Sequence, residues 1–226
     1  MTLLYIVRHC EAAGNSEHFF QGQSDRGISA RGERQLEYLA EKFRDIEIDA
    51  LYSSPLERAL LTAAAVNKYH DLPIETDARL MEISGGEWEG KRWADIPALF
   101  PEQSEIWIRS PHLFHPEGGE AMTDVSARMA AAVRDIAAAH EGGRVAVCTH
   151  GCAIRCLTCL AKGVSIDHLA EIEWNDNCSI MTLSVENGVL SVAHEADSSF
   201  IPDELSTFAN QKWWKNKDGD NFADDD

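Results

Sequence analysis

Arg8-His9 stands where a short apolar run, Leu3 to Val7, abruptly ends, and His150-Gly151 ends a second run that begins at Arg144. A third run, Ala50 to Ser53, leads through Ser54-Pro55 into a segment with Leu56, Ala59, Leu60, Ala63 and Ala64 at helical spacing, which puts Arg58 in that helix's first turn. Ligands of open α/β sheets bind beyond the carboxyl ends of the strands, where all these residues fall. Two guanidiniums, two imidazoles and the amides of nearby helix N-termini make a pocket for an anion, and a phosphoryl group suits it best. Taken singly, a histidine at a strand end is more often structural and an arginine in a first helical turn is usually solvated. Their convergence from three strands carries the functional reading.

The elements that must position them follow from periodicity. Gly32 to Phe43 carries Leu36, Leu39, Ala40 and Phe43, and Thr123 to His140 carries Val125, Met129, Val133 and Ile136, both at helical spacing. A further helix follows Gly151. Ser179 to Val185 and Val189 to Ala193 read as strands joined by a hairpin turn at Glu186-Asn187-Gly188. Strands alternating with helices imply an α/β three-layer sandwich with a mostly parallel central sheet and an antiparallel edge. Residues 84 to 120, with Trp88, Trp93, Phe100, Trp107 and Phe114, read as a lid-like excursion of short helices within one domain spanning 1 to 214. Residues 215 to 226 hold five aspartates and read as a disordered acidic tail.

The chain has 226 residues, 20 basic against 38 acidic, for a net charge of −18. That excess disfavours nucleic acid or an anionic membrane as partner. No apolar run approaches the roughly 18 to 20 residues needed to span a bilayer. The start, Met1 to Arg8, lacks the basic and long apolar regions of a secretory signal, so the six cysteines read as reduced cytoplasmic thiols. Cys152-x3-Cys156-x2-Cys159 has the spacing of an iron-sulfur triplet. On a helix, however, the three share one face, as small buried packing residues do. No metal or other cofactor is expected. The sequence sets no oligomeric state.

In order along the chain, Arg8-His9-Cys10-Glu11 with Asn15, Gln21-Gly22 with Asp25, Ser53-Ser54-Pro55-Leu56-Glu57-Arg58-Ala59, Leu80-Met81-Glu82-Ile83 with Gly86, Trp88, Glu89 and Gly90, Pro116 to Glu120, and Thr149-His150-Gly151 resemble the histidine phosphatase, or phosphoglycerate-mutase-like, superfamily. The resemblance spans residues 3 to about 195. Cys10 replaces the usual glycine and Ala12 the usual threonine or serine, departures that bear on pocket shape and substrate.

The resemblance implies a phosphoglycerate-mutase-like fold and two-step transfer through a phosphohistidine on His9. Arg8, Arg58 and His150 would hold the phosphoryl oxygens, with Asn15, Gln21, Gly22 and Gly151 on the substrate side. Glu82 would protonate the leaving oxygen and then activate water, a role for a carboxylic acid of raised pKa in a partly buried site; Glu87 and Glu89 lie close enough to be confused with it. Glu11 reads as a supporting partner. The expected partner is a small-molecule phosphomonoester and the leading activity its hydrolysis. The alternatives are a phosphoglycerate mutase and a non-catalytic phosphate-binding regulator. A thiol nucleophile at Cys10, beside His9 and Arg8, is a rival for the first step.

Overall fold

The computed structural model describes residues 1–211; the expected acidic tail at 215–226 lies outside them. Six strands form one sheet: β1 (Thr2–Arg8), β2 (Ala50–Ser53), β3 (Ile74–Thr76), β4 (Arg144–Thr149), β5 (Ile180–Glu186) and β6 (Val189–Asp197). The helices are α1 (Ala13–Ser16), α2 (Ala30–Phe43), α3 (Glu57–Val66), α4 (Ile96–Leu99), α5 (Pro101–Arg109), α6 (Met122–Ala139), α7 (Gly151–Ala161) and α8 (Thr207–Asn210). The strand order is β3-β2-β4-β1-β5-β6. The first four run parallel, and the β5-β6 hairpin pairs antiparallel on the far side of β1. Asn187 and Gly188, with φ of 51° and 77°, close the hairpin in the left-handed conformations such a turn needs.

Alternation along the strands sends residues to two cores. Leu4 and Ile6 of β1 and Val145 and Val147 of β4 join Met129, Val133, Ile154 and Leu157 of α6 and α7. Val7, Ala146 and Cys148 face the other way, onto Leu39 and Phe43 of α2 and Ala63 and Val66 of α3. The result is the expected sandwich of helix, sheet and helix. Each helix starts close to where periodicity puts it; Ser29 caps α2 by accepting the Gly32 N–H at 2.9 Å. Two details differ. The helix carrying Arg58 begins at Glu57, leaving Pro55 just ahead of it. The short strand β3, half exposed and three residues long, carries no apolar run that would announce it.

Register aligns the chemistry. Arg8 is level with Thr149, and Ser53 with Cys148, so β1, β2 and β4 stop together. His9, Ser54 and His150 therefore leave the sheet side by side, and the His9 and Ser54 N–H groups still donate to Thr149 and Cys148 across the gap. The 84 to 120 excursion folds over this end. It is pinned at its base, where Glu120 N–H donates to the Ser84 carbonyl and Glu87 N–H to that of Glu117.

Gly86, at φ 51°, sits in that base; a Cβ there would lie 2.1 Å from the Glu117 carbonyl oxygen and 2.5 Å from the Gly119 nitrogen. Gly90 has φ 70° and open space around it. Gly90→Ala should thus lose only the left-handed preference, about 1–2 kcal/mol, whereas Gly86→Ala should lose clearly more because backbone must move. Equal losses in denaturant unfolding of the two variants would show that the base is not a rigid clasp.

Candidate active site

His9 lines an open pocket together with Arg8, Asn15, Gln21, Glu82, Gly151 and a wall of aromatic rings. Its Nδ1 is 2.6 Å from the Cys10 carbonyl oxygen. A carbonyl only accepts, so Nδ1 carries the proton and the lone pair sits on Nε2, the nitrogen left for the pocket. Burial, then the charges of Arg58 and Arg8, hold the His9 pKa well below the usual histidine range. The imidazole is accordingly neutral at neutral pH, with the Nε2 lone pair uncommitted. Asn177 steadies it by donating Nδ2–H to the His9 carbonyl at 2.8 Å.

His150 lies beside it, ring centres 5.1 Å apart, fully buried and off the pocket lining. Ser54 Oγ accepts the Leu56 N–H and lies 2.7 Å from His150 Nε2. With that hydroxyl donating to Nε2, the His150 proton is on Nδ1, which is buried and has no partner. Arg8 repeats the situation. Its Nη1 donates to the Asn175 carbonyl, while its Nε is buried and unpartnered. Two buried donors without acceptors, next to a free imidazole nitrogen, are an anion site in waiting.

Arg58 is placed differently from the expectation. Its Nη2 donates to the Gly22 carbonyl at 2.5 Å and its Nη1 to the Ser24 carbonyl and Asp25. It stands behind the pocket lining, fixing the loop after Gln21 while its charge acts on both histidines. Gly22 also lies off the lining, because its N–H donates to Glu89. Gln21 and Asn15 do line the pocket, Asn15 accepting the Ala12 N–H through Oδ1 at 3.1 Å. Gly151 lines it where a Cβ would come within 3.0 Å of the Trp174 ring.

Glu82 is buried at the start of α7. Its Oε1 accepts the Ile83 and Ala153 N–H groups, and Oε2 accepts that of Cys152 at 3.0 Å. The partial positive charge of a helix N-terminus favours an acidic group there. The neighbouring acids are otherwise engaged: Glu89 accepts the N–H groups of Gly22, Gln23 and Gly85 and the Ser24 hydroxyl, and Glu87 is exposed. Glu11, 1% exposed, gathers Ser29, Arg31 and Thr207. It ties the loop after His9 to α2 and to the C-terminal segment.

Sequence reasoning missed Arg128. From α6 its guanidinium grips Glu120 with two bonds and donates to the carbonyls of Arg79, Met81 and Glu82, fixing the turn that presents Glu82. It also missed Asp176, which takes the Ser206 hydroxyl and the Phe208 N–H beside Arg8, and Trp174 in the pocket wall. Arg128 sits among apolar helix positions and reads in isolation as a solvated face; its carbonyl partners lie 46 to 49 residues away.

The cysteines take no part as nucleophiles or ligands. Cys10 is fully buried, its Sγ turned to the Arg58 carbonyl and its pKa pushed by burial up to about 12, so the rival thiol reading fails. Cys156, at about 12, and Cys152 and Cys159, also raised by burial, pack in the α6–α7 core. Among the described residues no three His, Cys, Asp or Glu side chains form a metal-ligating group.

Burial keeps both site histidines neutral in the fold, whereas the unfolded chain protonates them below about pH 6.5. Stability should fall as pH drops through that value, because the unfolded state then binds more protons. His150→Gln removes one such group. Its melting temperature should be lower at pH 8 yet decline less steeply toward pH 5 than wild type; an unchanged slope would contradict a buried neutral imidazole.

Comparison with known proteins agrees with this geometry. A family model for the histidine phosphatase superfamily (branch 1) matches residues 4–198. Phosphoserine phosphatase 1 of Hydrogenobacter thermophilus is 30% identical over 82% of this chain and 86% of its own. A probable phosphoglycerate mutase of Proteus mirabilis is 31% identical over 83% and 86%. Among solved structures, YhfR of Bacillus stearothermophilus superposes with a TM-score of 0.85 at 35% identity, covering 89% of this chain and all of that one. With the match running from β1 through β6, the chain belongs to the histidine phosphatase superfamily, branch 1.

Proposed function

We propose that the protein is a phosphomonoester hydrolase that forms a phosphohistidine on His9 and acts on a small phosphorylated metabolite. The observation that carries this reading is the free Nε2 of a neutral His9 beside the unpartnered, buried Arg8 Nε and His150 Nδ1. In the first step the Nε2 lone pair bonds to phosphorus and the ester P–O bond breaks, its electrons leaving with the alcohol oxygen. Glu82 gives that oxygen a proton. Oε2 suits this role because it has one amide partner, whereas Oε1 has two. In the second step water bonds to phosphorus, Glu82 takes its proton, and the P–N bond returns its electrons to His9. Arg8 and His150 hold the phosphoryl oxygens throughout, with Arg58 supplying field from behind.

In this reading the arginine and histidine cage carries the charge stabilisation that a cation would supply, so activity should survive prolonged chelation. The six thiols are unpaired, in keeping with a cytoplasmic setting. No helix among the described residues is long and apolar enough to cross a membrane. The phosphoserine phosphatase relative supports hydrolysis, and the mutase relative, of similar identity, keeps transfer to a second phosphoglycerate as the alternative outcome.

Labelled aryl phosphate should leave acid-labile, base-stable phosphate on the wild type and none on His9→Ala. Glu82→Gln should accumulate that phosphoenzyme in a burst and slow alkyl substrates by roughly 10²- to 10⁴-fold. Label persisting in His9→Ala would move the nucleophile elsewhere. Label that drains to added phosphoglycerate but not to water would make the protein a mutase.

Arg128→Lys replaces a fork by one ammonium that cannot meet five acceptors. It should lower kcat at least tenfold with little change in KM, because Glu82 is misplaced while the anion site stays. A KM-only defect would reassign Arg128 to substrate binding.

A further inference from the structure

Arg8, His9 and Glu82 account for the phosphoryl part of the pocket; the rest of its wall is built largely from Phe19, Phe20, Trp93, Trp107 and Trp174. These rings brace one another. Phe20 meets Trp93 at 5.2 Å and Trp107 at 5.9 Å between centres, and Trp107 meets Trp174 at 6.3 Å. Trp174 comes from outside the 84 to 120 excursion, and its ring edge reaches back to Gly151, near Arg8 Nε, so it links the aromatic wall to the phosphoryl end. Its ring rests on the Arg155 guanidinium, 4.3 Å away, which is itself buried and donates to the carbonyls of Leu169 and Ile172. The walls are thus fixed by packing on both sides, and such a slot receives flat groups without having to reorganise.

Charge is as informative as shape. Apart from the groups that serve the phosphoryl end and the buried Cys152 thiol, His18 is the one ionisable side chain on the lining among the described residues. Arg26 and Arg92 stack on Phe19 without joining the lining, and Arg26 pairs with Glu17. Among the described residues, a carboxylate or second phosphate on the leaving group would lose water against aromatic rings and gain no facing guanidinium or ammonium.

We propose that this aromatic box is the leaving-group subsite and that it selects phosphomonoesters of flat, uncharged arylalkyl or aryl alcohols over those whose leaving group bears an anion. This rests on the phosphatase reading of the same site. It sets the chain apart from a relative named for phosphoserine, whose leaving group carries a carboxylate.

The test compares 2-phenylethyl phosphate with 3-(phosphonooxy)propanoate, both primary alkyl phosphates, the second carrying a carboxylate and no compensating ammonium. Wild type should favour 2-phenylethyl phosphate at least tenfold in kcat/KM. Trp174→Ala should remove most of that preference and Trp174→Phe should keep most of it. Calorimetric binding of the two esters to His9→Ala repeats the ranking without chemistry. Binding in the expected order with no turnover by wild type would sink the phosphatase reading and leave the box standing. Turnover with equal or reversed ranking, or a ranking in which Trp174→Ala changes nothing, would overturn the box and leave the phosphatase. If Trp174→Ala does not fold, the wild-type ranking and the His9→Ala binding order still decide.

Discussion

Two guanidiniums held out of water at the end of a parallel sheet are the constraint from which the rest of the site follows. Arg8 and Arg58 are 4% and 2% exposed, and a buried cation is tolerated only where its N–H groups find acceptors. The loops after β1 and before β5 supply them as carbonyls, from Gly22 and Ser24 to Arg58 and from Asn175 to Arg8. Those loops would not stay in place unaided. Glu89 clamps the first by taking its N–H groups, and Asp176 anchors the second to the C-terminal segment. Acidic side chains therefore hold the backbone whose carbonyls hold the two arginines, and among the described residues only Asp25 meets either Arg8 or Arg58 directly.

The same cations decide the state of the histidines. Desolvation and adjacent positive charge both act against imidazolium, so His9 and His150 stay neutral, His9 on the pocket lining with Nε2 as an acceptor and His150 buried beside it with Nδ1 as an unpaired donor. Leaving Arg8 Nε and His150 Nδ1 without acceptors is destabilising in the free protein, since each buried unpaired donor costs on the order of 1–3 kcal/mol. An anion removes that penalty on binding. Local rules of polar satisfaction are broken at the place where a ligand would restore them.

Arg8, His9, Arg58 and His150 were legible in the sequence because buried parallel strands read as apolar runs, and the first polar residues after them mark the sheet end. What lay beyond reach depended on long-range return of the chain. Arg128 is defined by carbonyls of residues 79 to 82, Trp174 by the excursion it meets, and Thr207 by Glu11, far away in sequence. The roles of Gly22 and Arg58 shifted for a related reason: sequence brought them to the right loop, but hydrogen bonds to Glu89 and to each other, invisible in the pattern, decide which way their N–H groups point. Strand β3 was lost because three half-exposed residues carry no periodicity.

Cys10 shows why selectivity must come from elsewhere in the pocket. Its N–H donates to Thr62 Oγ1 at 2.9 Å and its side chain turns toward α3, away from the face on which His9 opens. A side chain in place of glycine thus fills the core behind His9 and stays clear of the pocket that Arg8, His9 and Glu82 line. Ala12 acts similarly: with no hydroxyl to cap α1, its own N–H is taken by Asn15 Oδ1. Neither substitution reaches the volume a leaving group would occupy. The rest of the lining is largely rings braced from Phe20 to Trp174, so it is these side chains, rather than Cys10 and Ala12, that set the shape and polarity of the pocket wall.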